Sequence, residues 1–116
     1  MRKTCVLGSS LVLLLTACIS QPVDPQTVAL GKRVAFERKK GNCLACHAIE
    51  DGEQPGNLGQ PLTAIQSRFN DKQALRAIIW DATQFNAETS MPPFGRNNIL
   101  SAAEIDAVVE YLWSLP

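Results

Sequence analysis

The stretch Gly41-Asn42-Cys43-Leu44-Ala45-Cys46-His47 is the part of this sequence from which its fold can be inferred. The two cysteines and the histidine of this stretch occupy positions i, i+3 and i+4. On one helical turn these positions share a face, so both sulfur atoms and the imidazole can meet one flat ligand. His47 is the only histidine in the chain, which excludes any site that needs two imidazoles from one chain. The spacing therefore predicts a site built around one planar group.

The pattern Cys-x-x-Cys-His is the attachment signal of c-type haem. The two thiols add to the haem vinyl groups, and the imidazole Nε2 takes one axial position on the iron. A thioredoxin-like redox dithiol is an alternative, but it needs a βαβ context, and no segment alternates with the period of a strand. A structural zinc site is a second alternative, but beyond the N-terminal leader only Cys18 remains as a further ligand. We therefore predict haem c bound through Cys43, Cys46 and His47.

Met91 is predicted to be the sixth iron ligand. No second imidazole exists, and Met91 is the only methionine besides Met1. It is followed by Pro92 and Pro93, whose fixed φ and missing N–H make a stiff arm. The alternative for a single methionine is core filling. With His/Met ligation the iron has no open position, so it would pass single electrons and bind no substrate.

The N-terminus has the features of a secretory leader. Arg2 and Lys3 precede a short apolar run at residues 6–15, which is too short to span a bilayer. Leu15-Thr16-Ala17-Cys18 then resembles the lipobox of bacterial lipoproteins, in which the chain is cut before the cysteine and the cysteine is acylated. Cys18 is therefore predicted to be lipidated. The alternative is an ordinary signal peptide cut near Ala17, with Cys18 a free thiol.

Three parts are predicted: a lipoprotein signal peptide at 1–17, a flexible tether at 18–26 and one domain at 27–116. Secretion and lipidation would make the protein periplasmic and anchored to a membrane. Of the 116 residues, 46% are apolar and 19% are charged, which is ordinary for a globular protein. Because 11 basic residues balance 11 acidic ones, no nucleic-acid partner is expected.

The domain is predicted to be all-α, with long loops. Apolar residues recur with helical spacing in three segments, which begin at Thr27, at Asn70 or Asp71, and at the capping box Ser101-Ala102-Ala103-Glu104. The first helix is expected to carry Arg38-Lys39-Lys40 in its last turn and to stop at Gly41. Residues 50–63 and 86–98 are expected to be loops.

These features resemble those of class I cytochromes c, and within that class the sequence is similar to the SoxX family. SoxX proteins are the monohaem subunits of the SoxAX cytochrome complex of bacterial sulfur oxidation. The similarity extends over about residues 28 to 115. It rests on residues 41–47, on Pro55-Gly56-Asn57-Leu58-Gly59-Gln60-Pro61-Leu62, on Met91-Pro92-Pro93-Phe94-Gly95 and on Ile99-Leu100-Ser101.

One position departs from the class I pattern. Relatives usually have Gly-Pro where this chain has Gly59-Gln60. In those relatives the proline carbonyl accepts a hydrogen bond from the haem histidine Nδ1–H. Since a backbone carbonyl does not depend on the side chain, Gln60 is expected to accept the same bond.

The resemblance implies a class I cytochrome c-like fold, with helices and long loops around one covalently bound haem c. The terminal helices cross in this class, so Gly31 and Ala35 would let the first helix cross closely under Tyr111. It implies Cys43, Cys46, His47 and Met91 as haem-binding residues, with His47 and Met91 on the iron. The expected partner is SoxA, a dihaem or monohaem cytochrome at which thiosulfate is joined oxidatively to a carrier-protein cysteine, an L-cysteine S-thiosulfotransferase reaction. This subunit would accept the electrons and pass them to a soluble cytochrome c.

No catalysis is expected from this chain alone, because nothing in it forms a nucleophile or an acid–base pair. The alternative function is that of a free-standing periplasmic cytochrome c, an electron shuttle of a respiratory chain.

Overall fold

The computed structural model describes residues 22–116, and their regular structure is entirely helical. The α-helices are α1 (Pro25–Phe36), α2 (Ile65–Arg68), α3 (Lys72–Trp80) and α4 (Ala102–Trp113), with short 3₁₀ turns at Cys43–Ala45 and Ala82–Gln84. The prediction of an all-α domain with long loops is confirmed. Within residues 22–116, no helix is long and apolar enough to cross a membrane.

Helices α1 and α4 cross in close contact at Gly31. A Cβ atom at this position would lie 1.9 Å from the Ala107 carbonyl oxygen and 2.8 Å from the Tyr111 Cβ. Ala35 is fully buried one turn further along α1. The rings of Phe36 and Tyr111 pack edge to face, with their centroids 6.3 Å apart. The predicted close crossing under Tyr111 is therefore confirmed.

The hydrophobic core is built mainly by α4, with α1 on one side of it and α3 on another. Two ion pairs join α3 to α4 at the surface, Lys72–Glu110 and Arg76–Asp106, each with an N–O distance of 2.6 Å. The buried apolar side chains of the core are Val34, Ala35, Ile49, Ile65, Leu75, Ile79, Phe94, Leu100, Ile105, Val108, Val109, Tyr111 and Leu112.

The starts of α3 and α4 follow the sequence predictions. The Asp71 carboxylate accepts a hydrogen bond from the Ala74 amide at 2.8 Å and caps α3. At α4 the capping box is complete. The Ser101 hydroxyl accepts from the Glu104 amide at 3.2 Å, and the Glu104 carboxylate accepts from the Ser101 amide at 2.9 Å.

Helix α1 begins earlier than predicted. Asp24 is its N-cap and accepts hydrogen bonds from the Gln26 and Thr27 amides, both at 3.2 Å. Pro25 follows at the first helical position, where its missing N–H is harmless. Residues 25–26, predicted to belong to the tether, are therefore helical. The predicted signal peptide, Cys18 and the start of the tether lie outside the described residues.

Helix α1 also ends earlier than predicted, at Phe36. Residues 38–40 form a turn, because the Gly41 amide folds back to the Val34 carbonyl at 3.0 Å. The Lys40 ammonium pairs with Glu104 of α4 at 2.5 Å. Residues 38–40 therefore do not form the last turn of α1, and Lys40 instead joins this turn to α4.

Candidate haem-binding site

Cys43, Cys46 and His47 lie on one short helical turn that follows α1. The amides of Cys46 and His47 both donate to the Cys43 carbonyl, at 3.2 and 2.9 Å. The turn is entered through Asn42, whose φ of 48° lies in the left-handed region that asparagine tolerates. The structure thus holds the three predicted site residues together on a single turn.

The environment of Cys43 does not suit a redox dithiol. Its thiol is half-buried, and burial raises its pKa to about 11. A nucleophilic dithiol needs a lowered pKa, so that the thiolate forms near neutral pH. In the described part of the chain, no three His, Cys, Asp or Glu side chains are grouped as a metal site would require. The alternatives considered for Cys-x-x-Cys therefore gain no support from the geometry.

The His47 ring is fixed between a glycine and a backbone carbonyl. A Cβ atom at Gly59 would lie 2.2 Å from Cε1 and 2.5 Å from Nδ1 of the ring. The His47 Nδ1 lies 2.6 Å from the Gln60 carbonyl oxygen. Because a carbonyl can only accept, Nδ1 carries the hydrogen, and Nε2 is left with a free lone pair for a metal. The expectation that Gln60 replaces proline through its backbone is confirmed.

The loop at residues 50–63 packs closely against this turn. The Gly56 amide donates to the Leu44 carbonyl at 2.8 Å, and the Gly59 amide donates to the Cys46 carbonyl at 2.7 Å. A Cβ atom at Gly56 would lie 2.0 Å from the Ala45 carbonyl oxygen. The glycines of this loop therefore allow it to approach the Cys-x-x-Cys-His turn backbone to backbone.

Arg68 supports this loop from the end of α2, and the sequence analysis did not single it out. Its guanidinium donates to the Pro61 carbonyl at 2.8 Å and to the Gln60 side-chain oxygen at 3.1 Å. These bonds fix the segment whose carbonyl orients His47. An isolated arginine carries no sequence signal of such a contact, because the contact depends on how the chain folds back.

Met91 lies in a loop between the 3₁₀ turn Ala82–Gln84 and α4, as predicted. Its side chain is half-buried and packs against the core, and its amide donates to the Thr89 hydroxyl at 3.2 Å. Three residues further on, Phe94 is buried. The structure places Met91 as the sequence predicted, and its ligation of iron stays a prediction.

These residues fit a covalently bound haem. The unprotonated Nε2 of His47 is a ligand for iron, and the two cysteines of the same turn can form thioethers. Apolar side chains around the core are left only partly buried, among them Phe36, Leu44, Leu62, Phe69 and Met91. A flat apolar group would be shielded from water by such side chains. Fold and site together define a small c-type haem protein.

Comparisons with known proteins agree. The family model described as Cytochrome c matches residues 28–116. The chain is also similar to the solved structure titled "Crystal structure of SoxXA from P. pantotrophus", with 29% identity and a TM-score of 0.67, over 82% of this chain and 83% of that chain. The search of curated proteins finds no match. Because the family model covers most of the sequence, the chain belongs to the cytochrome c family.

Membership in this family confirms the predicted class I cytochrome c-like fold and the predicted cofactor. The protein carries haem c covalently, and it is an electron-transfer haem protein.

Proposed function

We propose that this chain is the monohaem SoxX-type subunit of a SoxAX complex. It would receive electrons from a SoxA-type partner and pass them to a soluble cytochrome c. Two findings support this. The chain is 29% identical to a chain of a structure whose title names SoxXA. The stretches at 55–62 and 91–95 also match SoxX beyond the general haem motif.

The reaction at the partner sets what this subunit has to do. Joining thiosulfate to a cysteine thiol forms one S–S bond and releases one proton and two electrons. A monohaem subunit takes one electron at a time, so each coupling requires two transfers through it. When bound, haem c supplies this one-electron chemistry, and this chain supplies no acid, base or nucleophile to the coupling.

In this proposal Cys43 and Cys46 hold the haem as thioethers, and His47 and Met91 are the iron ligands. The observation that carries the assignment is the fixed His47 ring, with Gly59 against its face and the Gln60 carbonyl on Nδ1. A hydrogen bond on the outer nitrogen fixes the tautomer and the ring orientation of a ligating histidine. The chain thus presents Nε2 in one orientation.

The axial role of Met91 is tested with Met91→Leu, which keeps an apolar side chain of similar volume but removes the sulfur. We expect the oxidised wild-type protein to show a sulfur-to-iron charge-transfer band in the near infrared. The variant should lack this band and have a lower reduction potential. If Met91 only fills the core, the variant keeps the wild-type spectrum, and the assignment is wrong.

Attachment is tested by replacing both site cysteines with serine. The chain made with Cys43→Ser and Cys46→Ser should retain no haem on a denaturing gel. Cys18→Ser is the matched control, since it removes a cysteine outside the site, and it should stain for haem like the wild type. Haem that stays covalently bound to the double variant would contradict the assignment.

The role in the complex is tested by reconstitution. We expect the haem of this chain to become reduced after thiosulfate is added, but only when the SoxA-type partner and the thiol-bearing carrier protein are both present. Ascorbate serves as a control donor that shows the haem is competent. Reduction by ascorbate without thiosulfate-dependent reduction and without binding to the partner would instead favour the free-standing electron shuttle.

We also propose, from the sequence, that the mature protein begins at an acylated Cys18 and is held at a membrane on its periplasmic side. Because α1 is capped at Asp24, the predicted tether ends before this residue. Two or three acyl chains anchor a protein firmly. Intact mass and cell fractionation test this, and a soluble product with an unmodified Cys18 overturns the anchor without affecting the haem assignment.

A further inference from the structure

We propose that Asp81 and Arg96 form a clasp that closes the Met91 loop, here residues 82–95, and thereby positions Met91. The inference rests on the proposed ligation of iron by Met91. It concerns how the chain keeps that ligand in place.

The two ends of the Met91 loop meet at the end of α3. The amides of Gly95 and Arg96 both donate to the Trp80 carbonyl, at 3.0 and 3.3 Å. Gly95 lies against the Trp80 ring, where a Cβ atom would come within 2.1 Å of it. The residue after the loop is thus brought next to the residue before it.

Asp81 is the centre of a hydrogen-bond network at this junction. Its carboxylate is buried, with 5% of the side chain exposed, and it lies 2.8 Å from the Arg96 guanidinium. It also accepts from the Thr83 amide at 3.1 Å, from the Thr83 hydroxyl at 2.5 Å and from the Gln84 side-chain amide at 3.1 Å. Arg96 additionally donates to the Thr83 hydroxyl at 3.0 Å. A buried carboxylate bound in this way is costly to deprive of its partners.

Between these ends the loop is weakly held. Residues 84–88 are exposed, and 63% of Phe85 is accessible. The hydrogen bonds of Glu88, Thr89 and Met91 go to residues two or three positions earlier in the same loop. The stiff Pro92-Pro93 arm joins Met91 to the buried Phe94 and so to the closed end of the loop. Opening the clasp should therefore loosen Met91 while leaving the helices in place.

The test uses imidazole as an external ligand of the ferric holoprotein. Imidazole can bind the iron only after Met91 leaves, so its apparent affinity rises in proportion to the fraction of protein in which the loop is open. Arg96→Ala should raise this affinity about three- to tenfold, because it removes one charged partner of a buried carboxylate. Asp81→Asn should raise it further, since the amide brings two donors toward groups that themselves donate.

Two variants make the result specific. Arg96→Lys retains the charge and should restore most of the wild-type affinity. Lys72→Ala breaks a comparable ion pair between α3 and α4, with an N–O distance of 2.6 Å in the wild type. It should lower the thermal midpoint but leave imidazole affinity unchanged. Hydrogen exchange measured by mass spectrometry should increase over residues 82–96 in Arg96→Ala and stay unchanged over α4.

Equal imidazole affinity together with equal exchange over residues 82–96 in wild type and Arg96→Ala would overturn the clasp, as would an equal rise in affinity in Lys72→Ala. Faster exchange over the loop without a change in imidazole affinity would overturn the link between the clasp and Met91. If the wild-type protein lacks the sulfur-to-iron band, the ligation itself is wrong. The exchange measurement then decides separately whether Asp81 and Arg96 close the loop.

Discussion

The substitution Gly31→Ala places one methyl group at the crossing of α1 and α4. Alanine is the better helix former, so at an unconstrained helical position this change stabilises by roughly 1 kcal/mol. At Gly31 the new Cβ would lie 1.9 Å from the Ala107 carbonyl oxygen, whereas ordinary contact begins at 3.4 Å. The clashing atom belongs to the backbone, so no side chain can rotate away.

The expected loss of stability follows from the distance by which α1 and α4 have to move apart. The two helices have to move apart by about 1.5 Å, the difference between 3.4 and 1.9 Å. A gap of 0.5–1 Å already forfeits a quarter to a half of the dispersion attraction between facing atoms. Overpacking a rigid core costs about 1–3 kcal/mol, and a backbone clash belongs at the upper end. Subtracting the gain in helix propensity from this cost, we expect a net destabilisation of about 2 kcal/mol, or about 8–16 °C in Tm for a domain of this size.

The assay is urea and thermal unfolding of the holoprotein, followed by helical circular dichroism. Ala29→Gly is the matched control, because Ala29 is exposed in the same helix and the change isolates helix propensity. The control should lose about 1 kcal/mol. A Gly31→Ala protein as stable as the wild type would show that the helices can separate without penalty, and the crossing would not have the energetic importance assigned to it.

Three further predictions concern the site and its surroundings. Gly59→Ala should displace the His47 ring, break its Nδ1 hydrogen bond and raise the reduction potential by about 40 mV. Gln60→Ala keeps the backbone carbonyl and the Arg68 bond to Pro61 and loses only the bond from Arg68 to the Gln60 side chain, so it should change the potential much less than Gly59→Ala; redox titration of both variants checks this. The buried Tyr111 hydroxyl has no hydrogen-bond partner within residues 22–116, and burial raises its pKa to about 12. Because the unfolded chain loses this proton at a lower pH than the folded protein, the wild type should lose stability between pH 10 and 12. In urea unfolding, Tyr111→Phe should be at least as stable as the wild type at pH 7 and should lack this alkaline loss. If the free energy of unfolding falls equally with pH in both proteins between pH 10 and 12, the reasoning is wrong. The hydrogen bond from the Lys40 ammonium, and after it the bond from the Ser101 amide, lower the pKa of Glu104. The stability that the ionised Glu104 contributes is therefore present above its ordinary pKa and lost as the pH falls. The difference in free energy of unfolding between wild type and Glu104→Gln should shrink from pH 7 to pH 3.5.

Local signals in the sequence were enough to locate the starts of α3 and α4 and the principal site. The capping residues Asp71 and Ser101 act within three residues of themselves, so their chemistry can be recognised in the sequence. The same is true of Cys43, Cys46 and His47, whose spacing alone places them on one turn. The bond from His47 to Gln60 was expected from the resemblance to class I cytochromes c, and it persists without the proline because it needs only a backbone carbonyl.

Features that depend on tertiary contacts were not predictable in this way. Helix α1 ends at Phe36 because the Gly41 amide bonds back to the Val34 carbonyl, whereas the basic residues 38–40 had predicted a helix that continues to Gly41. Helix α2 spans only four residues, which are too few for a helical spacing of apolar residues to be recognised in the sequence. The bonds of Arg68 and Arg96 to loop segments join residues brought together by folding, and no local pattern marks them.

The proposed iron ligands are held in two different ways, and this difference determines which substitutions the site tolerates. His47 is fixed by backbone atoms, the Gln60 carbonyl on one side and the Gly59 chain on the other, so the side chain at position 60 can differ from proline. The ends of the Met91 loop are joined by backbone bonds to Trp80, but the proposed clasp that closes them also depends on the side chains of Asp81 and Arg96. Backbone contacts survive most side-chain changes, whereas an ion pair is lost with either partner. Substitutions around the methionine should therefore alter ligand retention far more readily than substitutions around the histidine.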